Sequence, residues 1–244
     1  MPVPVAAPRP RTLAPERRSV PVLRDTAGRT TSGERKMGEG PGRRTRSAES
    51  GGDGRERSAT VRVFIALAPP DDAKDELAEA LGPAYEAYPR MRWNRIQDWH
   101  ITLAFLGELP VATVPPLRPP LADLAASRRP VALSLRGGGH FDDRVLWSGI
   151  DGDLEGLHGL AAEVRAVVGE CGIPFEDRPL RPHLTLARAR RDDPASVVEA
   201  ASGLAGFTGR RWLAGRLHLV GSDYGRGPGP IRYRDIESWP FGGT

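Results

Sequence analysis

The pattern His-x-Thr-x occurs twice, at His100-Ile101-Thr102-Leu103 and at His183-Leu184-Thr185-Leu186, 83 residues apart and each time within a β-type run. Side chains alternate across a strand. In each copy the imidazole and the hydroxyl therefore share one face, while Ile101, Leu103, Leu184 and Leu186 take the other. A fold that accommodates both copies must bury two apolar strand faces and turn two imidazole–hydroxyl pairs toward a cleft or surface. Rigid strands with anchored backs are what a chemical site needs to hold reactive groups in place.

The surrounding pattern alternates strand and helix. Val61, Val63, Ile65 and Leu67 recur with period two, and Pro69-Pro70 stop that strand. Asp71 or Asp72 then caps a helix with Leu77, Leu81, Ala84 and Tyr88 at helical spacing. A second helix is predicted from about Asp153, with Leu157, Leu160, Ala161, Val164 and Val168 on one stripe and Gly172 ending it, and a third from Asp193-Pro194. Prolines 115, 116, 119 and 120 limit the segment Val111 to Ser127 to a helix from about Pro120. Strand-like runs lie at His100 to Leu106, Val131 to Leu135, Val145 to Ile150, His183 to Ala189, Arg216 to Val220 and Ile231 to Ile236. This order predicts two similar halves rather than one doubly wound sheet.

Charge divides the chain near Ser58. Residues 1–58 hold 13 basic and 7 acidic residues, and the remainder holds 22 and 24, so the overall +4 belongs to the N-terminal stretch. That stretch of Pro, Gly, Arg, Ser and Thr has too few large apolar residues to offset chain entropy. It is read as a disordered extension, with one domain over residues 59–244. The single cysteine, Cys171, excludes an intramolecular disulfide framework and paired-cysteine zinc sites. No run approaches the roughly 18 to 20 apolar residues of a membrane helix. The prolines at 2, 4, 8 and 10 interrupt any secretory apolar core. The expectation is a cytoplasmic protein that does not engage membranes.

Two imidazoles across a cleft suit phosphoryl chemistry, because near neutral pH one can accept a proton while the other donates one. The threonine hydroxyls can hold non-bridging phosphate oxygens. Neither histidine has a second His, Cys or carboxylate at the spacing of a preformed metal site, so neither metal nor cofactor is expected. Arg178, Arg181, Arg188, Arg190 and Arg191 crowd the second copy, and guanidinium groups there fit an anion. Strict alternation would turn Arg188 away from His183, unless the strand ends or bulges after Leu186. Among the nearby aromatics, which include Trp93, Trp99, Trp147 and Tyr224, Phe64 and Phe105 are the candidates for substrate contact. His140, His158 and His218 lack a threonine partner and are read as structural or surface residues.

The runs Val61-Arg62-Val63-Phe64-Ile65-Ala66-Leu67, Trp99-His100-Ile101-Thr102-Leu103-Ala104-Phe105-Leu106-Gly107-Glu108 and Arg181-Pro182-His183-Leu184-Thr185-Leu186-Ala187-Arg188 together resemble the 2H phosphoesterase superfamily. Within it the chain resembles the bacterial and archaeal RNA 2′,3′-cyclic phosphodiesterase family, also named 2′-5′ RNA ligase, over about Thr60 to Pro240. The resemblance implies an α+β, bilobal fold, with two pseudo-symmetric halves and antiparallel sheets around a central cleft. Family members open a 2′,3′-cyclic phosphate at an RNA end to a 2′-phosphate without a metal, and some join or cleave 2′-5′ linkages. Carried over by motif position, His100 is the proton donor to the leaving 3′ oxygen and His183 the proton acceptor from water. Thr102, Thr185 and Arg188 become phosphate contacts. The expected protein is a monomer acting on RNA ends or 2′,3′-cyclic nucleotides. Dominant ligation and a non-catalytic RNA-end-binding module are the alternatives.

Overall fold

The computed structural model describes residues 59–175, 178–222 and 232–243. The predicted extension over residues 1–58, together with Tyr224 and Ile231, lies outside the described residues. In chain order the elements begin β1 (Thr60–Leu67), α1 (Asp71–Ala80), α2 (Gly82–Ala87), β2 (Arg92–Trp93) and β3 (Ile101–Pro110). They continue with α3 (Arg118–Ser127), β4 (Val131–Phe141), β5 (Val145–Gly152), α4 (Leu154–Glu170) and β6 (His183–Arg188). The chain closes with α5 (Ala195–Gly203), β7 (Thr208–Ala214), β8 (Arg216–Ser222) and β9 (Tyr233–Pro240).

The strands form one antiparallel sheet in the order β7-β4-β5-β6-β3-β1-β8-β9, with β2 added against β6. The middle of that order is its thinnest point. β3 and β6 share a single register pair among the described residues, Ile101 with Leu184, and on either side of it lie four strands. The two halves have the same plan. In one, β1 pairs with β3 and β8 with β1. In the other, β5 pairs with β6 and β4 with β5. After each motif strand the chain crosses over: α3 leads from β3 to β4 in the opposite half, and α5 and β7 lead from β6 to β8. The halves are therefore interleaved in sequence, which explains why a linear reading of two consecutive repeats is only approximate.

The apolar backs of the motif strands enter the core as alternation predicts. Ile101, Leu103, Leu184 and Leu186 are all buried, against helix residues such as Leu77, Leu121, Leu157, Val164 and Val197. Asp153 caps α4 by accepting a hydrogen bond from the Gly156 amide at 2.8 Å, and the predicted stripe on that helix is buried. Several boundaries differ from expectation. The first helix breaks at Leu81 because Gly82-Pro83 starts a new one. The helix α3 begins at Arg118, two residues early, because Pro119 and Pro120 occupy its first turn, where no amide donor is required. β7 was not anticipated: Thr208-Gly209-Arg210-Arg211 hides the alternation of an edge strand whose Leu213 is exposed.

The strand β4 also runs six residues past its predicted end, through Gly137, Gly138 and Gly139. The glycines are there for space. A Cβ on Gly139 would sit 2.2 Å from the Trp147 ring, and one on Gly138 would sit 2.5 Å from the Leu204 Cβ. Gly139→Ala should therefore lower unfolding free energy by about 1–3 kcal/mol through overpacking. Urea unfolding checks this, and an unchanged midpoint would show that Trp147 can move aside.

Candidate active site

The one β3–β6 register pair among the described residues determines the site. With Ile101 opposite Leu184 in an antiparallel pair, the flanking positions place His100 opposite Thr185 and Thr102 opposite His183. Cross-strand neighbours lie about 4.5–5.5 Å apart at Cβ and diagonal ones about 7–8 Å. The two hydroxyls and two imidazoles thus occupy the corners of a square on one face of the sheet, with each kind of group on a diagonal. All four are half-buried, while the residues between them are buried behind.

Each imidazole is oriented the same way. His100 Nδ1 lies 2.7 Å from the Asp98 carbonyl and His183 Nδ1 lies 2.6 Å from the Arg181 carbonyl. A carbonyl only accepts, so Nδ1–H donates in both and Nε2 is left for chemistry. Asp98 is itself buried and held by two hydrogen bonds from Arg95, at 2.8 and 3.0 Å. Aromatic rings brace both imidazoles. His100 stacks on Phe64 at 4.4 Å and meets Tyr233 edge-on at 5.2 Å, and His183 meets Phe141 edge-on at 5.0 Å. Phe64 is only 3% exposed, so the expected substrate contact by Phe64 is corrected: its ring is covered by His100 and Tyr233, and it supports the imidazole.

A bulge follows each threonine. On β3 the register steps from Ala66–Thr102 to Ile65–Ala104, which leaves Leu103 as the extra residue. On β6 it steps from Trp147–Thr185 to Leu146–Ala187, with Leu186 extra. The extra residue reverses the alternation beyond it. Phe105, 42% exposed, therefore returns to the cleft face opposite Phe64, with the Arg62 guanidinium 4.7 Å from its ring centre. Arg188 returns at the equivalent place on β6, which meets the condition on which its approach to the site depended. Asn94 holds this second bulge: its side chain donates to the Thr185 carbonyl at 2.9 Å and its amide to the Leu186 carbonyl at 2.8 Å. Of the other clustered arginines, Arg190 pairs with Asp192, and Arg181 contributes its backbone carbonyl.

Burial disfavours the charged form of both histidines. It pulls His100 down to about 4, opposed by the Asp98 carbonyl and reinforced by the charges of His183 and Lys74. His183 is also lowered, by burial first and then by the Arg188 charge, against the Arg181 carbonyl. The cleft thus holds two neutral imidazoles beside fixed cations, an arrangement suited to an anion.

The model of the 2′-5′ RNA ligase superfamily matches residues 69–226. The chain belongs to this superfamily. A Thermus thermophilus protein named RNA 2′,3′-cyclic phosphodiesterase is 32% identical over 193 residues, which cover 75% of this chain and 91% of that one. One of the same name from Geobacillus stearothermophilus is 32% identical over 145 residues, 58% of this chain, which spans only 46% of that longer relative. Among solved structures, a crystal structure of a Thermus thermophilus protein aligns with a TM-score of 0.61 at 27% identity, covering 75% of this chain and 98% of its own. Escherichia coli LigT complexed with 3′-AMP has the same fold, with a TM-score of 0.58 at 24% identity over 75% of this chain and 99% of its own.

Superfamily membership accounts for the two motif copies but not for the residues that shape them. Asn94, Tyr233 and His218 on the cleft side were not anticipated. Asn94 has no pattern of its own, and the other two reach the site only because β8 returns beside β1 and β9 beside β8. The depressed His100 implies a stability signature. The unfolded chain binds its proton below about pH 6.5 and the folded one only near 4, so this contribution is complete above 6.5 and lost as pH falls to 4. Between pH 7.5 and 4 the protein should lose about 3 kcal/mol more stability than His100→Gln. Parallel urea titrations test this, and identical pH slopes would contradict it.

Proposed function

We propose that this chain is an RNA 2′,3′-cyclic phosphodiesterase that opens a terminal 2′,3′-cyclic phosphate to a 2′-phosphomonoester by two-histidine acid–base catalysis. The observation carrying this reading is the crossed square of His100, Thr102, His183 and Thr185 at the β3–β6 contact. Its size suits one phosphate. The two Nε2 atoms approach from opposite corners, as an in-line displacement requires of donor and acceptor. The hydroxyls of Thr102 and Thr185 lie on the other diagonal and donate to non-bridging oxygens. Arg188 adds charge at the His183 end, where negative charge grows in the transition state.

In this reading His183, the less deeply buried imidazole, accepts a proton from the attacking water through Nε2. His100, sheltered by Phe64 and Tyr233, delivers a proton to the departing 3′ oxygen. The P–O3′ bond breaks as the new P–O bond forms, and the proton taken up by His183 restores the starting charge when it returns to His100 through solvent. Before substrate binds, burial, reinforced by the nearby cationic groups, keeps His100 neutral. The anionic phosphate offsets the burial penalty on its charged form and draws a proton onto it. Phe105, exposed beside Thr102 with Arg62 at its ring, is placed to stack on a base. The protein would work as a monomer in the cytoplasm.

Phosphorus NMR on an oligonucleotide ending in a 2′,3′-cyclic phosphate should show conversion to the 2′-monoester in the presence of EDTA. His100→Ala and His183→Ala should each lower turnover by about 10²- to 10⁴-fold. Thr102→Val and Thr185→Val should lower it less. Stable binding of the RNA end without any product, or turnover that survives loss of both histidines, would contradict the reading.

A further inference from the structure

A cavity of about 350 Å³ lies on the far side of His100 from His183, within the size range of small-molecule sites. Residues of β1, β8 and β9 line it, and those strands lie across β3 from β6. Its polar lining is unbalanced. Arg95 is taken up by Asp98, and His218 Nδ1 lies 2.9 Å from the Asp235 carboxylate, which leaves its Nε2 unused. Arg234 is exposed and has no ion pair among the described residues. Lys74 is the more telling group. It is 6% exposed, and among the described residues its nearest carboxylate is that of Asp71, on the surface at 3.9 Å. That distance is beyond a hydrogen bond. The aliphatic stem of Lys74 is buried while its ammonium, with no hydrogen-bond acceptor among the described residues, faces the cavity and is open to an anionic ligand there.

We infer that this cavity is a second phosphate subsite, in which Lys74, His218 and Arg234 take the phosphodiester on the 5′ side of the terminal nucleotide of an RNA strand. The inference rests on the reaction reading above. There His100 serves the leaving 3′ oxygen, so the rest of the nucleotide extends toward this side of the histidine. Ala66 lies between Thr102 on β3 and His218 on β8 in the sheet register, and both Ala66 and His100 line the cavity, so it adjoins the first motif directly. Lys74 then supplies a monopolar charge, and His218, whose Nδ1–H donates to Asp235, directs an Nε2–H at the anion in its protonated form. The site would favour chain ends over mononucleotides.

Binding can be measured without turnover, by calorimetry with adenosine 2′-monophosphate and adenosine 2′,5′-bisphosphate. The wild type should bind the bisphosphate about tenfold or more tightly, since a hydrogen bond to a charged group contributes on that scale. The ratio should shrink with added salt. In Lys74→Met and in His218→Gln the ratio should fall toward one, with thermal unfolding used to confirm that each variant is folded. If Lys74→Met does not fold, His218→Gln and Arg234→Gln carry the test. The same preference should extend to a dinucleotide ending in a cyclic phosphate over the cyclic mononucleotide. A wild-type ratio near one, a ratio unchanged in the folded variants, or a preference for the bisphosphate without one for the dinucleotide would each overturn the RNA-strand subsite. Turnover without any preference defeats the subsite and leaves the hydrolase reading standing, whereas the preference without turnover does the reverse.

Discussion

One backbone contact between two strands governs the molecule. Because β3 and β6 meet at Ile101 and Leu184 and then diverge, their polar faces converge at one place and open into a cleft beyond it. A shift of one residue on either strand would turn His100 and Thr102, or His183 and Thr185, into the core. The register is held from behind, since Ile101, Leu103, Leu184 and Leu186 are all buried in the same core. The apolar packing and the geometry of the site are thus a single constraint seen from two faces. The interleaved connections add to it, because neither half of the sheet is built from one continuous stretch of chain.

The approximate symmetry makes its departures informative. Both motif strands bulge after the threonine, and both then return a side chain to the cleft, but one returns Phe105 and the other Arg188. One end of the cleft therefore offers an aromatic face and the other a fixed positive charge. Each imidazole also has its own cation, Lys74 for His100 and Arg188 for His183. Burial and these charges favour the neutral form of both rings, so in the proposed reaction anion binding and proton uptake are linked.

Much of this was legible in the sequence. Strict period-two alternation identified the buried and cleft-facing members of both motifs, because a strand has only two faces. The same rule required the strand to end or bulge if Arg188 was to face the same side as His183, and a bulge is present. The misreadings have physical causes. Phe64 reads as available because alternation gives a face but not what covers it, and His100 itself covers that ring. The glycines of β4 look like a loop until Trp147 and Leu204 are seen to need their space. Asn94, His218 and Lys74 carry no local pattern. Their places depend on strand order, which is non-local.

The proposed convergence of both imidazoles on one phosphorus can be tested directly in a crystal structure of the protein with a nucleoside 2′,3′-cyclic vanadate, a mimic of the pentacovalent transition state. The account predicts a single vanadium centre with His100 Nε2 and His183 Nε2 each within hydrogen-bond distance of a different apical oxygen, and with Thr102 and Thr185 on its equatorial oxygens. A vanadate bound by only one of the two histidines, with the other facing solvent, would contradict it.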